Sequence, residues 1–363
     1  MKTILLAGLI SLVVALVGTR LLIGYLKKHH YGPGVRDDLQ NLHAAKGGTP
    51  SMGGLAIILA IILAYVGTHL ATQRPPTASA LLVLGLMIGT GLIGFLDDWS
   101  KVRHEHSGGL KPWVKLVGQG IVGVAFGVLA LKFPDAVGIT PASRAISFTR
   151  DINGAVVHLA VVAAVIWMTL LIAGFSNAVN ITDGLDGLAS GSVAIVFFAY
   201  ALINIWQSSQ WCEQAVLSPT PVTAMCYPVR DPYDLGMTSI AIAAACFGFL
   251  WWNAKPARIF LGDTGSLALG AAMAGMAICT RTELLLFILG ALFVVETGSV
   301  ALQVCYFKAT HGKRIFKMSP LHHHFELLGW EEQTVVVRFW IMSGIAVCLG
   351  FGLFYAEWVV RSR

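Results

Sequence analysis

Ten runs of roughly 20 mostly apolar residues divide this chain, and nothing else in the sequence constrains its fold as strongly. They fall at about 3–26, 53–70, 79–96, 113–133, 156–175, 187–206, 236–252, 264–280, 284–306 and 336–359. Each matches the length of helix that crosses a bilayer core. Backbone amides cannot go unpaired in hydrocarbon, so runs of this kind form helices. The expected fold class is all-α: a polytopic membrane protein of about ten transmembrane helices, with one integral-membrane domain over residues 1–363. Only 12% of the residues are charged, about half the share of a soluble domain. The first run is longer than a signal-peptide core and lacks a small-residue cleavage site, so it reads as a retained span.

Ten spans place both termini on one side and sort the connections into two sets. One set holds residues 27–52, 97–112, 176–186, 253–263 and 307–335, and carries thirteen Lys and Arg; the other set, termini included, carries eight. The positive excess marks the first set as cytoplasmic and the termini as external. The net charge of +6 suits anionic lipid or phosphorylated substrates without choosing between them.

The unusual polar residues all fall in the first set. His43 to Pro50 contains Lys46; Asp97 and Asp98 adjoin Lys101; Asn177, Asn180, Asp183 and Asp186 recur at every third position; Asn253 to Ser266 contains Phe260 and Asp263; and His322, His323 and His324 follow Lys313, Arg314 and Lys317. Five polar clusters on one face are what an active site requires, whereas ordinary solvated loops would scatter them. Adjacent carboxylates at a membrane surface are costly unless a cation holds them. On a helix the 177–186 residues would form one drifting stripe, with Gly184 and Gly187 allowing close backbone approach. Asp263 could serve only as a helix N-cap, and Phe260 either as an interface aromatic or as a platform for a base. Three consecutive His with no further Cys or His do not complete a tetrahedral zinc site; they fit the neighbourhood of a pyrophosphate. Glu296 and Arg20 lie inside spans, where a charge is a functional candidate, although Arg20 can snorkel to the interface.

These segments resemble the polyprenyl-phosphate N-acetylhexosamine-1-phosphate transferases, and in particular their muramoyl-pentapeptide branch. The resemblance rests on HAAKGGTPSMGG (43–54), GFLDDWSK (94–101), GFSNAVNITDGLDGLA (174–189), IFLGDTGSLALG (259–270), VVETGSVALQV (294–304) and SPLHHHFELLGW (319–330). Ser51 stands where Thr is commoner. The resemblance implies ten spans, Mg²⁺ dependence and a homodimer. It also implies a reaction between UDP-N-acetylmuramoyl-pentapeptide and undecaprenyl phosphate that gives lipid I and UMP. By motif, Asp97, Asp98 and Asp263 would be the essential acids, with Asp263 and Asp98 as metal ligands and His322 acting at the pyrophosphate. Lys46, Ser51, Asn180, Asp183, Gly184, Leu185, Asp186, Asn253 and Phe260 would form the uridine side. Gln303, His323 and His324 would lie toward the phosphates and peptide.

Two rival readings follow from the same residues. A sister transferase would use UDP-N-acetylglucosamine instead. A transporter would place its acids near the midplane on broken helices, whereas these lie at helix ends. A phosphomonoester has a second pKa near ~6, so the lipid phosphate is mostly dianionic at neutral pH. A general base then adds little, and direct attack is favoured over a covalent carboxylate intermediate. Cys212 and Cys226 share one polar loop in the external set, where a disulfide is expected.

Overall fold

The apolar runs fold as helices with an inside-out polarity. On the first of them, α1 (Lys2–Lys28), Leu5, Leu9, Val13, Val17 and Leu21 are exposed, while Thr3, Ala7, Ser11, Ala15 and Thr19 are buried. Both stripes follow the spacing of four that keeps residues on one helical face. Large side chains face outward and small ones inward, as helix packing in lipid demands. The structure, a computed structural model, describes residues 1–29, 48–104, 109–152, 158–212 and 226–361.

The remaining helices are α2 (Gly54–Thr72), α3 (Ala78–His104), α4 (Pro112–Ala130), α5 (Val161–Thr182) and α6 (Leu188–Ser209), followed by α7 (Pro232–Asn253) and α8 (Gly262–Cys279). The C-terminal part holds α9 (Glu283–Leu289), α10 (Ala291–Ala309), α11 (Leu321–Glu326) and α12 (Glu332–Arg361). Among the described residues there is no β-strand, only isolated bridges such as Ala145 with His158. The all-helical expectation holds.

Among the described residues, nine helices are long and apolar enough to cross a membrane: α1 to α7, α10 and α12. The expected span at 264–280 is α8, and it differs in kind. From Thr264 to Cys279 every residue is buried, so α8 meets protein, not lipid, and its Gly, Ala, Ser and Thr need no lipophilic face. It is the central post, packed by α2, α3, α5 and α6. The approaches are tight. A Cβ at Gly94 of α3 would come within 2.1 Å of the Asp263 carbonyl oxygen, and one at Gly54 of α2 within 2.1 Å of the Gly265 nitrogen.

Three boundaries depart from the sequence expectation. Helix α3 runs on past 96, so Asp97 and Asp98 lie inside it; Asp97 pairs with Lys101 one turn later, which stabilises the extension. Helix α5 continues through Asn177 and Asn180 to Thr182, and Asp183 is its C-cap. The stripe therefore holds for the two asparagines, while Asp183 and Asp186 sit in the turns beyond. The run at 284–306 is two helices, broken at Gly290, where a Cβ would lie 3.0 Å from the Phe175 ring.

Cys212 and Cys226 form a disulfide. Cys212 follows α6, whose 22 residues span about 33 Å, so the disulfide lies at the opposite end of the bundle from the turn at 183–187.

Candidate active site

Asp97, Asp98 and Asp263 come together where α3 and α8 meet. The three offer carboxylate oxygens within 4.8 Å of one another. Asp97 is fully buried, Asp98 nearly so, and Asp263 retains 14% side-chain exposure. Asp98 is locked onto the start of α8, accepting from the Thr264 N–H at 2.9 Å, the Thr264 hydroxyl at 2.7 Å and the Asp263 N–H at 3.1 Å. It is thus a capping carboxylate at a helix N-terminus as well as a member of the cluster. Asp97 accepts from the Leu110 N–H at 2.6 Å.

Two lysines bridge the acids. Lys101 lies 2.6 Å from Asp97 and 3.3 Å from Asp263, and Lys115 lies 2.9 Å from Asp263 and 3.5 Å from Asp97. Three carboxylates against two ammonium groups leave one formal negative charge. Asn180 fixes the remaining side of Asp263, donating to its Oδ1 at 3.0 Å and to Ser266 Oγ at 2.9 Å. An acidic, oxygen-only donor set of this size suits a hard divalent cation such as Mg²⁺, which keeps several waters and takes few protein ligands. The donor set present therefore fits the implied ion.

Backbone pairing brings the 50–54 segment against the approach to α8. The Phe260 N–H donates to the Pro50 carbonyl, the Gly53 N–H to Phe260, and the Gly54 N–H to Leu261, each at 2.9 Å. Ser51 and Asp98 consequently face each other across Gly262: a Cβ there would lie 2.9 Å from Ser51 Oγ and 2.6 Å from Asp98 Oδ2. With φ at +75°, this position takes glycine on both grounds.

Asp183, in the turn after α5, has its carboxyl pushed up to about 8. Burial is the first cause, even though the residue keeps a partly exposed surface, and the carboxylates of Asp263, Asp98 and Asp186 add to it. Gly184 and Leu185 follow in the same turn; Leu185 is buried against Leu292, Val335 and Phe339.

Other candidates hold the frame. Asn253 accepts from Ser190 Oγ at 2.8 Å and donates to the Ile259 carbonyl at 3.0 Å, closing the loop before α8. Asp186 accepts from the Ala257 N–H at 3.1 Å, and its own N–H donates to Glu332 at 3.0 Å. Gln303 spends its amide on the 313–317 loop, accepting from the Ile315 and Phe316 N–H groups and donating to the Phe316 carbonyl. The histidines divide: His322 is buried beside Glu296, His323 pairs with Glu326 at 2.7 Å, and His324 Nδ1 accepts from the Lys317 N–H. Lys46 lies outside the described residues.

Sequence reasoning missed Lys115 and left Lys101 as a neighbour of the acids, not a member of their network. The signal for Lys115 was present, since it is a lone cation one turn inside an apolar span, where charge is expensive.

The family model described as glycosyl transferase family 4 matches residues 79–281, which include the three acids, both lysines and Asn180. A Cutibacterium acnes protein named phospho-N-acetylmuramoyl-pentapeptide-transferase is 59% identical over 359 residues, covering 99% of each chain. Proteins of the same name from Nocardioides sp. and Streptomyces avermitilis are each 54% identical, again over 99% of both chains. By family model and by full-length identity alike, this chain belongs to glycosyl transferase family 4 and, within it, to the phospho-N-acetylmuramoyl-pentapeptide-transferases.

Proposed function

We propose that this chain transfers phospho-N-acetylmuramoyl-pentapeptide from its UDP conjugate to undecaprenyl phosphate, giving lipid I and UMP. The observation that carries the reading is the union of three carboxylates and two lysines on α3, α4 and α8 within a bundle of membrane-length helices. The relatives' shared name selects the muramoyl substrate over UDP-N-acetylglucosamine.

The reaction exchanges one phosphoanhydride for another. An oxygen of the lipid phosphate forms a bond to the sugar-bearing phosphorus, the bond from that phosphorus to the bridging oxygen breaks, and UMP departs with the electron pair. The lipid phosphate is largely dianionic near neutral pH, so the central problem is bringing two anions together. Lys101 and Lys115 address it by holding ammonium groups at the meeting point, and Asn180 keeps Asp263 oriented. Asp263 and Asp98 would hold Mg²⁺, which when bound neutralises charge on the diphosphate and the leaving phosphate. Asp97, hydrogen-bonded to Leu110 and paired with both lysines, keeps those ammonium groups aimed.

The catalytic end faces the cytoplasm in this reading, and both termini face outward. The charge asymmetry of the loops supports this orientation, and so does the disulfide at the far end of α6, since disulfides persist in oxidising compartments. A homodimer belongs to the same reading and is tested by mass measurement in mild detergent.

The test is to incubate purified protein with undecaprenyl phosphate and either sugar nucleotide, with and without Mg²⁺. UMP and a lipid-linked product should form from the pentapeptide nucleotide. Equal turnover of UDP-N-acetylglucosamine would move the chain to the sister branch.

A further inference from the structure

The pair formed by Glu296 and His322 is not explained by the cluster described above. Glu296 lies on α10 and His322 on α11; both side chains are fully buried, with Glu296 Oε2 at 3.0 Å from His322 Nδ1. A carboxylate with no access to water is strongly unfavourable without a partner, and one ring nitrogen supplies it. The other ring nitrogen, Nε2, is buried and has no hydrogen-bond partner. It points at the turn after α5: a Cβ on Gly184 would sit 2.3 Å from it. That turn begins at Asp183, the C-cap of α5. Leaving a buried nitrogen unsatisfied is unfavourable, and a ligand group arriving beside the turn would relieve it.

Resting on the proposed transferase reading, we infer that Glu296 is a positioning residue: it holds the Nδ1 side of His322 and so leaves Nε2 as the atom that meets the phospho-sugar nucleotide. Imidazole has two distinct nitrogens, and the partner of one decides what the other presents. Carboxylates that orient functional histidines elsewhere contribute at the level of tens of fold. Gly184 supplies clearance in the same arrangement, because any side chain there would displace the ring.

A double-mutant cycle decides the matter. Glu296→Ala should lower kcat/KM for the sugar nucleotide about tenfold to a hundredfold, with KM for the polyprenyl phosphate within about twofold of wild type. Glu296→Gln keeps an oxygen for Nδ1 and should recover to within about fivefold. In a His322→Ala background, Glu296→Ala should cost nothing further, since its effect travels through the ring. A purely structural carboxylate would give additive losses and shift both KM values. Additive losses, or a Glu296→Ala enzyme within twofold of wild type, would overturn the inference. The same cycle read by calorimetric binding of the sugar nucleotide does not depend on turnover. If wild-type protein binds the nucleotide but forms no lipid-linked product, the transferase reading fails while the binding cycle still judges Glu296.

Discussion

Replacing Lys115 with Met removes one ammonium group from the site and keeps an unbranched apolar stem that reaches as far as the lysine Cε. Its Nζ lies 2.9 Å from Asp263 and 3.5 Å from Asp97, and the lysine is 22% exposed. At an effective dielectric of about 20, these attractions are about 6 and about 5 kcal/mol before desolvation is counted. The net cost to folding is smaller, because a stranded carboxylate can take up a proton. That escape costs about 1.4 kcal/mol per pH unit, or about 4 kcal/mol from an ordinary Asp near pH 4 up to pH 7. The variant should therefore fold with reduced thermal stability, and the loss should shrink as pH is lowered. Turnover should fall further, by about 10²–10³, the usual effect of losing one preorganised group at developing charge. The acids left behind should bind a divalent cation more tightly, read as a larger thermal shift with Mg²⁺. UMP release and melting curves across a Mg²⁺ titration measure all three effects. Turnover within threefold of wild type, or full rescue by excess Mg²⁺, would refute the argument that the lysine itself handles substrate charge.

Chelation by EDTA should abolish transfer and Mg²⁺ restore it, while Asp263→Asn should lose nearly all activity and keep its melting transition; unimpaired turnover in chelator would remove the metal assignment. Asp183 makes a pH prediction. Its folded carboxyl titrates near 8 against about 3.9 unfolded, so over that window the native state holds the extra proton and stability falls as pH rises. Asp183→Asn should flatten the decline in melting temperature between pH 5 and pH 8, and parallel profiles would contradict the shift. For topology, single cysteines at Gly312 and Ala136, in a background lacking Cys305 and Cys348, should label from the cytoplasm and from outside respectively; labelling of both from one side would reverse the span parity.

The membrane fold was legible because each apolar run carries its own instruction: a helix satisfies its backbone locally, and hydrocarbon enforces that everywhere along the run. The acids of the site were legible too, since Asp97, Asp98 and Asp263 are expensive where they stand and so mark themselves. Partnership was not legible. Lys115 belongs to a different helix from each acid it neutralises, and only the packing of α4 on α3, with Gly118 against Ile93 and Gly89 against Val122, together with the close approach of α3 to α8 at Gly94, fixes those distances. The same holds for the division of labour among the polar motifs. Asn253, Asp186 and Gln303 read in sequence as substrate contacts, and only the structure shows the hydrogen bonds they also make to loop backbone and to neighbouring side chains. Glu296 and His322 are 26 residues apart, and nothing local distinguishes their pairing from either residue's alternatives. Sequence thus determined which segments are helices and which residues are too costly to be idle. Tertiary structure decided which cation meets which carboxylate, because hydrogen bonds and ion pairs depend on separations of a few ångströms that only helix packing sets.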